Sequence, residues 1–151
     1  MWINVIIVQE VVILKLLNRD DISEHREKIE NALVEVLQLD TDGVQRIISL
    51  LLANLMQCWL LLRESMCIGF AITEVIYDNP SNKNLFLVYL LKTMDTATPV
   101  EVHTFYNELL NAARGQQCAA LTFYTSFQNE NKLSLLRKFG AVTRTHYYIA
   151  T

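Results

Sequence analysis

The residues able to do chemistry in this chain are few and scattered. Cys58, Cys67 and Cys118 share no C-x-x-C spacing, and His25, His103 and His146 lie far from one another and from every cysteine. Metal centres built from sequence-local ligands need closer intervals, and disulfide frameworks need an even, denser set. The cysteines therefore read as buried free thiols, the histidines as surface or packing residues, and no metal is expected. Arg137 and Lys138 form a single basic pair on a helical pattern, and the formal charge of the chain is −3. Phosphate-backbone recognition requires a basic stripe, so nucleic acid is not an expected partner. A different arrangement stands between Thr93 and Glu101. There Thr96 and Thr98 precede Pro99, with Asp95 and Glu101 on either side. Hydroxyls and amides at the start of a helix can receive an anion, because the first N–H groups lack partners inside the helix.

The elements that would position these residues follow from periodicity. With 52% apolar and 19% charged residues over a length of 151, the chain has ample material for a core and suits one domain spanning 1–151. Trp2–Leu17 is rich in Ile, Val and Leu, which fits one long strand or two short ones. Asp21 and Glu24 have the spacing of a capping box, opening a helix with Ile22, Ile29, Leu33, Val36 and Leu37 on one face. A second helix is expected from about Val44 to Met56. Three strands follow, at Trp59–Leu62, Cys67–Tyr77 and Asn84–Met94, joined by polar turns as an antiparallel meander. Thr98-Pro99 then supplies a cap and a first-turn proline for a helix that ends at Gly115. A strand over Ala119–Thr125, a helix over Asn129–Phe139 and a strand over Val142–Ala150 complete the order β-α-α-β-β-β-α-β-α-β.

Two leucine-rich stretches fall short of a membrane span. Val44–Leu62 is broken by Gln45, Arg46, Ser49, Asn54 and Gln57, and Trp2–Leu17 carries Asn4, Gln9, Glu10 and Lys15. No membrane association is expected, and a cytoplasmic location follows, or incorporation into an assembly built there.

The element order, with Asn129, Leu135 and Gly140 at the spacing of N-x-x-A-x-x-L-Y-x-x-x-G-F, resembles the GCN5-related N-acetyltransferases, the GNAT family. The resemblance covers nearly the whole chain. It implies a mixed α/β (α+β) fold whose central sheet splays between its fourth and fifth strands. It also implies acetyl-CoA as cofactor, with the pantetheine arm along the backbone of Leu90, Leu91 and Lys92. Thr96 and Thr98 would hold phosphate, and Asn129 would position the cofactor. For catalysis it calls for a base, for which Glu74 acting through water is the nearest candidate, and an acid, for which Tyr124 and Tyr89 are the substitutes at hand.

Three departures accompany the likeness. The family's phosphate turn reads R/Q-x-x-G-x-G/A, whereas Thr93-Met-Asp-Thr-Ala-Thr-Pro-Val-Glu101 has neither glycine nor the leading Arg or Gln. Leu136 stands where many members carry the tyrosine acid. The fourth strand, Asn84–Met94, has no carboxylate where many members carry the base. On these grounds the sequence favours a GNAT-fold module with an eroded acetyl-CoA site. Such a module would pack against a protein partner or itself, by analogy with GNAT-like proteins of tailed bacteriophages, some of them associated with the virion. A divergent acyl-CoA-dependent N-acetyltransferase is the alternative.

Overall fold

The computed structural model describes residues 11–123. Its elements are β1 (Val12–Leu16), α1 (Arg19–Glu24), α2 (Arg26–Leu37), α3 (Thr41–Leu52), β2 (Gln57–Arg63), β3 (Met66–Asp78), β4 (Lys83–Thr93), α4 (Pro99–Gly115) and β5 (Ala120–Phe123). The predicted order is recovered over this range, except that the first helix comes in two pieces. The closing helix and strand expected from Asn129 onward lie outside the described residues.

The break in the first helix has a local cause. Asn18, not Asp21, is the N-cap: its side chain accepts the Asp21 N–H at 2.8 Å, while the Asp21 carboxylate accepts the Asn18 N–H at 3.2 Å. Asp21 is thus the third residue of an earlier capping box rather than the first of a later one. His25 leaves helical geometry at φ −96°, ψ 11° and ends α1, and α2 starts one residue on. Asp40 caps α3 by accepting the Gly43 N–H, so α3 begins three residues before Val44.

The sheet runs β1-β2-β3-β4-β5. The first four strands are antiparallel, and β5 joins parallel to β4, which requires the crossover that α4 provides. Helices cover both faces. On one, α1, α2 and α3 bury Ile22, Ile29, Leu33, Ile48 and Leu51 against Cys58, Leu60, Phe70, Ile72 and Leu90. On the other, α4 buries Phe105, Tyr106, Leu109 and Ala113 against Trp59, Leu61, Ile68, Ala71, Phe86, Val88 and Leu91. Each large side chain so enclosed contributes about 1.5–3 kcal/mol. The alternation of β2 shows the two-sided demand directly, because Cys58 and Leu60 serve one core while Trp59 and Leu61 serve the other.

Two bulges interrupt the ladder. Between β2 and β3 the register passes from Leu61↔Gly69 to Leu62↔Cys67, so Ile68 is the extra residue. Between β3 and β4 it passes from Thr73↔Val88 to Ile72↔Leu90, so Tyr89 is the extra residue. Bulges raise local twist and re-aim side chains. Here Tyr89 and Leu90 both pack toward the α1–α3 core, whereas Val88 and Leu91 face α4.

α4 is fixed to β2 at both ends. Arg63, the last residue of β2, reaches the first turn of α4, where it binds Glu101. Gln57, the first residue of β2, accepts a hydrogen bond from Gln116, the C-cap of α4, at 3.1 Å. The same Gln57 oxygen accepts from the Thr73 hydroxyl at 3.4 Å, and that hydroxyl accepts the indole N–H of Trp59 at 2.8 Å. No described helix is long and apolar enough to cross a membrane.

Candidate functional site

The site is built at the end of β4 that leads into α4. Described pairing to β5 covers Leu85↔Ala120 through Val88↔Phe123, and β4 continues five residues further, to Thr93. In this stretch the ladder to β3 fixes which backbone groups are already used. The Met94 N–H donates to the Ile68 carbonyl at 2.8 Å. Antiparallel residues bond their neighbour strand alternately, so in the register Lys92↔Phe70 and Leu90↔Ile72 those two residues turn their amides toward β3. Leu91 and Thr93 turn theirs to the β5 side. The sequence reading names Leu90, Leu91 and Lys92 together, and the strand separates them into one outward-facing backbone and two inward-facing ones. The Lys92 side chain is paired with Glu35 of α2 at 2.7 Å.

After Thr93 the chain enters a tight turn closed by the Ala97 N–H donating to the Met94 carbonyl at 2.9 Å. None of its residues has a positive φ; among the described non-glycine residues that conformation is confined to Gln38, Asn54, Glu64, Ser65, Asn82 and Gln117. The turn therefore has no conformational requirement for glycine. Thr98 then caps α4. Its hydroxyl accepts the Glu101 N–H at 3.2 Å, and the Glu101 carboxylate accepts the Thr98 N–H at 2.8 Å, a complete capping box with Pro99 at the first helical position.

Glu101 is held by more than the cap. Arg63 Nε donates to its Oε2 at 2.6 Å and Arg63 Nη2 to its Oε1 at 2.5 Å, and the same Nη2 donates to the Thr96 carbonyl at 2.8 Å. The two side chains are only 16% and 10% exposed. The Arg63 fork, opposed by partial burial and assisted by the Thr98 hydrogen bonds, holds the Glu101 carboxyl down to about 2. Glu101 is therefore an ionised, compensated anion rather than a bare charge facing an incoming phosphate. Among the described residues, three amides of this segment carry no hydrogen-bond partner: Asp95, Thr96 and Val100. Val100 lies in the first turn of α4, and Asp95 and Thr96 lie in the turn leading into it; unpartnered N–H groups at a helix start can receive an anion.

Of the residues singled out from the sequence, Thr96 and Thr98 stand together here. Thr98 acts as the helix cap and Thr96 as the carbonyl that Arg63 holds. Glu74 is half-buried on β3, opposite Leu87, two positions before the Tyr89 bulge along β4. Because Thr73 turns its hydroxyl to Trp59 on the α4 side, Glu74 faces the side of α1–α3. Tyr89 is half-buried at the bulge itself. Tyr124 and Asn129 lie outside the described residues. Sequence reasoning missed Arg63, because its partner is 38 positions away and only the paired sheet brings the end of β2 beside α4. Among the described residues no cluster of His, Cys, Asp or Glu could hold a metal. One concavity lined by Asn18, Arg19, Asn54 and Gln57 lies by β1, α1 and α3, away from the β4–β5 edge.

Comparison with solved structures places this architecture in a known class. The chain superposes on aminoglycoside N-acetyltransferase AAC(6′)-Iy in complex with CoA with a TM-score of 0.72 at 13% identity, covering 97% of this chain and 99% of that one. Ribosomal-protein-alanine N-acetyltransferase from Brucella melitensis biovar Abortus 2308 gives 0.71 at 11% identity, over 93% and 99% of the two chains. A possible acetyltransferase from Clostridium difficile 630 gives 0.72 at 11% identity, over 94% and 97%. The chain has the GNAT acetyltransferase fold, as the element order implied. No family model and no curated protein matches its sequence.

Proposed function

We propose that the chain is a divergent N-acyltransferase that takes its acyl group from acetyl-CoA. The observation that carries this reading is the seat after β4, where the amides of Asp95, Thr96 and Val100 are unpartnered among the described residues and follow a strand whose Leu91 and Thr93 amides face away from β3. The sequence argument for an eroded site rested on three departures: a turn without glycine, Leu136 in place of the tyrosine acid, and a fourth strand without a carboxylate. The first of these weakens, because the turn closes with ordinary φ values and one of its two flanking carboxylates, Glu101, is paired with Arg63, while Asp95 is exposed in the turn. The fold neighbours include acetyltransferases, one of them in complex with CoA, and lend this reading more support than they lend an interaction module. Nothing in the comparisons supports a place in a phage particle. Self-association and a protein partner have no observation behind them.

The residues present fit the cofactor. The amides of Asp95, Thr96 and Val100 would hold its diphosphate, and the backbone of Leu91 and Thr93 its pantetheine arm. Bound there, acetyl-CoA would supply an acyl thioester whose leaving group is the coenzyme A thiolate. The chain would hold an amine acceptor beside that edge and strip its ammonium proton. Glu74, on the α1–α3 face near the bulge, takes that proton through water. Tyr124, outside the described residues, is proposed as proton donor to the departing sulfur. Positioning alone can provide much of the acceleration, since fixing an amine beside a thioester makes the step effectively unimolecular.

The test is a thermal or calorimetric titration of the purified protein with acetyl-CoA. Ligand at ~100 times its Kd adds about 2.7 kcal/mol to stability, a plain upward shift in Tm. A flat response at millimolar cofactor removes the acyltransferase reading.

A further inference from the structure

The turn that would seat the diphosphate lacks the glycine pattern, yet the structure holds it in a definite form from outside. Arg63 reaches in from the end of β2, and its contacts include two to the Glu101 carboxylate and one to the Thr96 carbonyl. Each has a separate consequence. The carbonyl contact fixes the Thr96–Ala97 peptide from its oxygen side, while the Ala97 N–H is fixed by Met94. The same bond engages the Met94 carbonyl, whose planar peptide unit carries the Asp95 N–H, so the two peptide units flanking the Asp95–Thr96 link are both held. The carboxylate contacts cancel a negative charge that would otherwise lie within the first turn of α4, where it would repel the anion the helix end attracts. Glu101 in turn takes up the Thr98 N–H, which leaves the amides of Asp95, Thr96 and Val100 without a partner among the described residues.

From this we infer that Arg63 is a positioning residue for the diphosphate seat, acting through Thr96 and Glu101 to do by tethering what glycines do elsewhere by flexibility; the inference rests on the acyltransferase reading. Lysine is a poor substitute, because one ammonium cannot reproduce a planar fork bound to a carboxylate while also serving a carbonyl.

The test compares two ligands in NMR titrations of wild type, Arg63→Lys and Arg63→Met: coenzyme A, and pantetheine, which has the arm without the diphosphate. Loss of charge-assisted hydrogen bonds predicts a Kd for coenzyme A weaker by about tenfold or more in Arg63→Met, and a smaller loss in Arg63→Lys. Pantetheine affinity stays unchanged in both variants. Loss of affinity for both ligands alike would mean general disruption and would overturn the inference, as would an unchanged coenzyme A affinity in Arg63→Met. Should Arg63→Met fail to fold, Arg63→Lys decides alone, and wild-type affinity in it contradicts a role for the fork. Wild type that binds neither ligand removes the acyltransferase reading and the inference with it. Wild type that binds while the variants match it removes the inference only.

Discussion

At the scale of single residues, the Arg63–Glu101 pair sets both charge and stability at the start of α4. The Glu101 carboxyl, at about 2 in the folded chain against an ordinary 4.5, binds its proton less readily folded than unfolded. Its contribution is therefore fully present above about pH 4.5 and is lost as the pH falls toward 2. Denaturant unfolding at a series of pH values should show wild type losing stability across that window, with a shallower loss in Glu101→Gln. Equal slopes would contradict the pairing. A second residue-scale prediction concerns Thr73, whose hydroxyl receives the buried Trp59 indole N–H. Thr73→Val strands that donor and should cost about 1–3 kcal/mol by chemical denaturation. Neither contact is legible from the sequence. The partners are 38 and 14 positions apart and meet only because β2 runs beside β3 and its end reaches α4. The Thr98-Pro99 cap is legible, because its chemistry is complete within four residues. The box at Asp21 and Glu24 misleads for a related reason. Asn18 and Asp21 have the same spacing, and the spacing alone cannot rank two overlapping boxes.

At the scale of elements, the β3–β4 pair determines where the site sits. Gly69 shows how tightly α4 presses on it. A Cβ there would come within 2.8 Å of the Phe105 ring and 3.0 Å of the Lys92 carbonyl. Gly69→Ala should therefore destabilise by about 1–3 kcal/mol, the usual cost of overpacking, and shift the end of β4 that leads into the seat. Shrinking the ring in Gly69→Ala/Phe105→Leu should recover part of the loss, since one of the two clashes is with that side chain. A double variant no better than the single one would show that the Lys92 backbone contact dominates. The order of elements was readable from hydrophobic period and turn residues, and the described range follows it. The bulge at Tyr89 was not, because an extra residue in a two-residue period looks like ordinary apolar continuation in V-Y-L-L. The split between α1 and α2 was hidden likewise. His25 departs from helical angles only modestly, so Ile22 and Ile29 keep helical spacing across the break.

At the scale of the molecule, two apolar layers share one sheet, and Cys58 reports on the layer beneath α1–α3. Its thiol is wholly enclosed, and burial, helped by nearby Cys67, pushes it up to about 12. Because the thiolate is the nucleophile, native Cys58 should resist alkylation at pH 8 and react only as the chain unfolds. Alkylation followed by mass spectrometry across a denaturant series checks this, and rapid labelling of native Cys58 would contradict the packing. The account as a whole stands on the seat at the start of α4. Amide-resolved NMR during a coenzyme A titration addresses it most directly. The predicted result is large, saturable shifts at the N–H groups of Asp95, Thr96 and Val100, with Leu91 and Thr93 following. Saturable binding that leaves those five amides unmoved, or no binding at millimolar cofactor, would contradict it.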